Sequence, residues 1–193
     1  ITEDSTAADT QPAFSPDGER VAFRSNRIGG RGIYTISATG ENARRVADFG
    51  FHPAWSPDGK EIVVSTEGKE FPDFRNPKAS ELWIINLETG TKRLLTSNDA
   101  MQPAWSPDGK FIAFWFYPPN VGRRDIGIVS VSGGEPFVIT KDGTTNWNPV
   151  WSPDGKFLYF ASDRGGNMSF WRVMFETGKI TGEPEAVVTP AKH

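Results

Sequence analysis

The side chains able to do chemistry are few. There are two histidines, His52 and His193, and no cysteine, so disulfides and thiolate metal sites are excluded. Neither a Gly-x-Ser-x-Gly nucleophile elbow nor a phosphate-cradling glycine loop occurs, and the carboxylates are scattered without an acid–base pair. His52 stands directly before a proline, as do Gln11, Gln102 and Asn148. That equivalence makes it a turn or channel-lining group before it makes it a base. The most regular carboxylates are Asp17, Asp58, Asp108 and Asp154, each inside a Ser-Pro-Asp-Gly tetrapeptide. Repeated aspartates could ligate a cation, but these turns offer too few ligands of too little variety. No metal, no cofactor and no catalytic residue are therefore expected.

The tetrapeptide has a structural use instead. Its copies are built on Ser15, Asp17 and Gly18; Ser56, Asp58 and Gly59; Ser106, Asp108 and Gly109; and Ser152, Asp154 and Gly155. Pro presets φ for a type I turn, Asp tolerates the next position, and Gly supplies the left-handed residue of a hairpin bulge. The Ser hydroxyl can bond a backbone N–H within the turn.

Around each turn the same order recurs. An aromatic (Phe14, Trp55, Trp105, Trp151) precedes it, with a proline two residues earlier, and apolar strand-like runs follow. A third run comes next (Ile33–Ile36, Leu82–Ile85, Ile126–Val129, Phe170–Val173), then a Gly-containing turn and a short, more charged fourth run. Antiparallel strands in fours, repeating every 40 to 50 residues or so, predict a β-propeller. The expected fold is all-β, one domain over residues 1–193, with blades at about 10–48, 51–97, 101–141 and 147–190. Arg44, Arg45, Lys92 and Arg93 on the outer strands would discourage edge pairing. Where the other blades carry Tyr34, Trp83 and Trp171, the third has Gly127, and Trp115 is expected to fill that volume.

The pattern aromatic-Ser-Pro-Asp-Gly-Lys/Arg-apolar resembles the TolB-like, or PD40, propeller repeat, related to WD40. It is carried by residues 12–27, 53–65, 103–116 and 149–166. The resemblance implies a larger ring of six or more blades. Ile1-Thr2 aligns with Ile139-Thr140, the end of a fourth strand, so the chain reads as an arc of such a ring. The uncovered flat faces of its first and last blades would then call for missing blades or self-association.

Function is expected on the face that carries the irregular loops. Phe71, Phe74 and Arg75 in the second blade, with Tyr117, Arg123 and Arg124 in the third, are the candidate partner-binding residues, since aromatics and arginine anchor interfaces. His52, Asp99, Trp147, Arg27 and Arg164 are expected at the channel rim. The net charge of -3 argues against nucleic acid, and no apolar run approaches the roughly 18 residues of a membrane span. The resulting expectation is a non-catalytic module that binds a protein or peptide. The resemblance further implies a periplasmic or otherwise extracytoplasmic bacterial setting, with a cytoplasmic one left open. Alternatives are the gating propeller of a prolyl-oligopeptidase-like serine peptidase and the sensor propeller of a bacterial signalling protein.

Overall fold

The computed structural model of the chain describes residues 7–27, 29–68, 79–118, 122–176 and 178–187. They form sixteen strands in four antiparallel sheets of four. Blade one comprises β1 (Asp9–Phe14), β2 (Arg20–Ser25), β3 (Gly32–Ser37) and β4 (Arg44–Ala47). Blade two comprises β5 (Phe51–Trp55), β6 (Glu61–Ser65), β7 (Leu82–Asn86) and β8 (Lys92–Thr96). Blade three comprises β9 (Ala100–Trp105), β10 (Phe111–Phe116), β11 (Asp125–Ser130) and β12 (Phe137–Val138). Blade four comprises β13 (Asn146–Trp151), β14 (Phe157–Ser162), β15 (Ser169–Glu176) and β16 (Lys179–Ala186). The last strand begins at once after Gly178 and is longer than the short fourth run expected of each blade. Gly178 and Gly182, at φ 81° and 78°, allow the tight hairpin and its later bend.

All four turns share one bonding scheme. Each Ser Oγ donates to the Asp Oδ1 two residues on, at 2.5 to 2.7 Å. The same oxygen accepts the N–H of Arg20, Glu61, Phe111 or Phe157 at 2.9 Å. The Gly N–H returns to the Ser carbonyl. These bonds favour the ionised carboxylate. The Ser hydroxyls first, and then the backbone N–H groups, hold Asp17, Asp58 and Asp154 below the ordinary value of 3.8. At Asp108 burial pushes upward, and the Ser106 hydroxyl with the Lys110 N–H outweighs it.

A depressed carboxylate contributes stability that is present above the unfolded value and is lost as pH falls through the folded one. The urea midpoint is therefore expected to decline as pH drops below about 4. Asp58→Asn should make that decline shallower; an unchanged slope would show that the turns do not carry it.

Between blades the packing runs in chain order. One cluster joins Ala22, Ile33 and Ala47 to Trp55, Ile62, Val64 and Ile85. A second joins Val63, Leu82 and Ile84 to Ile112, Phe114 and Val129, and a third joins Trp115, Ile126 and Ile128 to Trp151, Leu158, Phe160 and Phe175. Trp55 and Trp151 each donate an indole N–H to the preceding blade, at the Ala13 and Ala104 carbonyls. Lys92 reaches Asp48 at 2.9 Å, and Arg93 bonds the Val131 carbonyl.

Phe14 holds the same repeat position and is 63% exposed. Blade four leaves Val150, Phe170 and Met174 in solvent on its far side, as expected of an unclosed arc. Blade one differs from that expectation. Val21, Phe23, Tyr34 and Ile36 form a buried cluster there, and the Arg27 guanidinium lies over the Phe23 and Tyr34 rings at 4.9 and 5.0 Å.

The compensation at Gly127 also differs. Its strand partner is Phe114, whose ring comes within 2.9 Å of where a Cβ would sit. Phe114 therefore fills that volume. Trp115, the next residue along β10, is turned to the opposite side of the sheet and is buried against blade four.

Candidate functional site at the junction of blades three and four

The innermost strand of every blade carries a bulge at its X-Pro pair. Proline offers no N–H to the ladder, so the chain leaves register there. The preceding residue takes the left-handed conformation: Gln11 at φ 56°, His52 at 50°, Gln102 at 48° and Asn148 at 50°. None of them is glycine, so each position stores about 1–3 kcal/mol of strain. The sequence places these residues in equivalent positions but gives no sign of their backbone conformation. Side-chain bonds involve three of them. Gln11 Oε1 accepts the His52 backbone N–H at 2.9 Å, and its Nε2 lies 3.2 Å from His52 Nε2. Gln102 Oε1 accepts the Trp115 indole N–H.

The strand ends opposite the Ser-Pro-Asp-Gly turns gather the other candidates. Asp99, at φ 53°, accepts the Ser80 N–H and so pins the connection into blade three. Arg27 and Arg164 are the same device in blades one and four. Each Nε donates to the serine two residues back, Ser25 or Ser162, at 3.0 and 3.1 Å. Arg27 then pairs with Asp9 at 2.8 Å, and Arg164 with Asp142 at 3.0 Å. Arg164 also stacks on Phe160 and Trp171, just as Arg27 does on its own two rings. Neither arginine is free to point into a channel. Each locks a loop to the innermost strand.

Four of the named residues meet where blade three packs on blade four. Arg124 is 1% exposed. Its guanidinium lies 4.5 Å from the Trp115 ring centroid, 5.8 Å from that of Tyr117 and 5.0 Å from that of Trp147. Its Nε donates to the Tyr117 hydroxyl at 3.3 Å. Asn146, wholly buried, links the two blades: its N–H and its Nδ2 both donate to the Arg124 carbonyl, while its Oδ1 accepts from Arg164. Asp125 accepts from Thr140, and its carboxyl is raised from the ordinary value chiefly by burial. Asp142 titrates low, because the Thr144 bonds and the Arg164 charge outweigh its burial.

Arg123 is exposed beside this cluster. Phe71, Phe74 and Arg75 lie outside the described residues. The structure thus groups Tyr117, Arg124, Trp147 and Arg164, leaves His52 and Asp99 at other junctions, and keeps Arg27 within blade one. Nothing in the sequence context of Asn146 marks it as the linker between the two blades. Among the described residues no cluster of three or more His, Cys, Asp or Glu could hold a metal ion.

Relatives share this architecture. The family model for the TolB beta propeller domain matches residues 65–184. A TolB-assigned structure from Agrobacterium tumefaciens superimposes with a TM-score of 0.77 at 27% identity, over 97% of this chain and 64% of that one. TolB from Acinetobacter baumannii gives a TM-score of 0.63 at 25% identity, over 90% and 40% of the two chains. A stretch of 71 residues is 39% identical to the uncharacterized peptidase YuxL of Bacillus subtilis, covering 33% of this chain and 11% of that protein. In each case the chain spans less than two thirds of the relative. Blade one and the Ser56 turn of blade two lie outside the family match, yet the Ser15 and Ser56 turns are bonded like the other two. By sequence match and by fold, this chain belongs to the TolB beta propeller family.

Proposed function

We propose that the chain is a non-catalytic recognition module, and that it takes a protein or peptide on the face formed by its blade-to-blade connections. The observation that carries this reading is the contrast between the two faces. The turn face repeats one self-satisfied hairpin four times, with its polar groups spent on its own backbone. A groove there, between the third and fourth turns, is lined by Asp108, Lys110, Asp154 and Lys156, whose charges alternate and do not converge. The opposite face differs from blade to blade and sets exposed Arg123 beside the buried aromatic–arginine cluster at the junction of blades three and four, and arginine is a side chain that often anchors interfaces. Likeness to bacterial TolB structures supports an extracytoplasmic setting.

A second reading, an accessory propeller of a peptidase, draws support from the local identity to YuxL. Capture experiments on the immobilised chain separate the faces. Arg123→Glu is expected to abolish recovery of a bound protein, whereas Lys156→Glu on the turn face should leave recovery unchanged. The reverse pattern would overturn the assignment. Turnover of peptides by the chain alone would overturn the non-catalytic reading.

A further inference from the structure

Arginine stays charged at any pH that a folded protein survives, and burying such a charge without a partner costs several kcal/mol. Blades one and four meet this requirement with carboxylates, Asp9 for Arg27 and Asp142 for Arg164. Arg124 is buried more deeply than either, yet no carboxylate lies within ion-pair distance of it among the described residues. Its Nη2 is buried and donates to no protein acceptor, and the same is true of the Trp147 Nε1 beside it. Two unspent donors therefore lie on groups in direct contact, the guanidinium carbon being 5.0 Å from the indole centroid. The aromatic rings around Arg124 offset part of the desolvation of the cation, but they do not accept from these N–H groups in the way an oxygen does.

We propose that Arg124 and Trp147 form a carboxylate-binding site, with Arg124 Nη2 and Trp147 Nε1 donating to the two oxygens of one carboxylate. This rests on the reading that the connection face takes a peptide, and it gives that peptide a chemistry: an acidic residue or a free chain end. A guanidinium stacked on rings offers its planar edge, and that edge matches the flat, two-oxygen acceptor of a carboxylate. Exposed Arg123 places a second positive charge on the approach. Trp147 is only half-buried, so part of its side chain reaches solvent, while its Nε1 and the Arg124 Nη2 are themselves buried.

The indole N–H reports the site directly. In a ¹⁵N-labelled chain, which has seven tryptophans, the Trp147 indole signal is the one missing from Trp147→Phe. Titration with sodium acetate at constant ionic strength is expected to move that signal saturably, with half-effect at roughly 1–100 mM, while sodium chloride leaves it in place. Arg124→Lys keeps the charge and loses the planar fork, so acetate should bind about tenfold more weakly or not at all. Arg124→Met, if it folds, should abolish the response.

Short peptides then distinguish the sources. A capped peptide with a central Glu that moves the signal, where its Gln counterpart does not, assigns the site to an acidic side chain. A response only to a free C-terminus assigns it to a chain end. A signal indifferent to acetate, one that follows chloride equally, or one that follows inorganic phosphate and not acetate, overturns the proposal. Those outcomes leave the capture result standing. Failure of the unmutated chain to capture a protein, with an intact acetate response, would overturn the protein-binding reading and spare the site.

Discussion

Trp151→Ala is expected to lower the unfolding free energy by about 3–5 kcal/mol, the range for removing a buried aromatic from a core. The ring is 8% exposed and meets Phe175 edge-on at a centroid distance of 4.9 Å. It also belongs to the cluster that joins blade three to blade four through Trp115, Leu158 and Phe160. Its indole N–H is the donor to the Ala104 carbonyl, so truncation also leaves a cross-blade acceptor unpaired. Because each blade packs only on its neighbours, the loss falls on one interface. The guanidinium unfolding curve should therefore separate into two steps, with blade four unfolding first. Trp151→Phe keeps most of the volume and should cost less than half as much. Trp105→Ala is the internal comparison: that indole Nε1 has no acceptor, so only packing is lost. A cost below about 1 kcal/mol for Trp151→Ala would show that the blades are not clamped at this position.

The same interface shows how far the sequence could be read. Ser, Pro, Asp and Gly act within a single turn, so their local chemistry specifies the hairpin, and the hairpins count the blades. Strand alternation then assigns Leu158 and Phe160 to a buried face. It does not say which blade lies across from them. The filling of Gly127 by Phe114 rather than Trp115 is a matter of alternation within one blade. Residues one apart on a strand point to opposite sides, so Phe114, the strand partner of Gly127, is the one able to supply the volume.

The site was legible only in part. Residue type and loop position single out Tyr117 and Arg124 as partner-binding candidates and Trp147 and Arg164 as rim residues, but they do not show that Arg164 is paired or that Arg124 is buried. Pairing with Asp142 and burial among Trp115, Tyr117 and Trp147 are long-range outcomes. They depend on how two blades dock, which no local pattern encodes. The positive φ of Gln11, His52, Gln102 and Asn148 is a further case, since the residue before a proline is expected to be extended.

Gly32→Ala is expected to cost about 3 kcal/mol or more, from a contact that sequence spacing gives no reason to suspect. Gly32 opens β3 opposite Ser25, and a Cβ added there would lie 2.0 Å from the Ala47 carbonyl oxygen and 3.0 Å from its carbon. Those atoms are backbone of β4, held by the pairing of Ala47 with Ile33 and by the burial of Ala47 against blade two. Relief would require β4 to leave the sheet, opening the first interblade cluster. The corresponding places in the other blades are taken by Glu81, Asp125 and Ser169. The repeat itself therefore does not demand glycine; the close approach of β4 does. Gly30→Ala supplies the contrast. Its Cβ would meet only the Arg45 guanidinium, at 2.9 Å, a flexible, exposed side chain that can move by giving up its bonds to the Gly29 and Arg31 carbonyls, so the cost there is the positive φ and those bonds, about 1–2 kcal/mol. Chemical denaturation of the two variants checks the ranking. Equal losses would mean that β4 can give way, and that the edge of blade one is held less firmly than its hydrogen bonds imply.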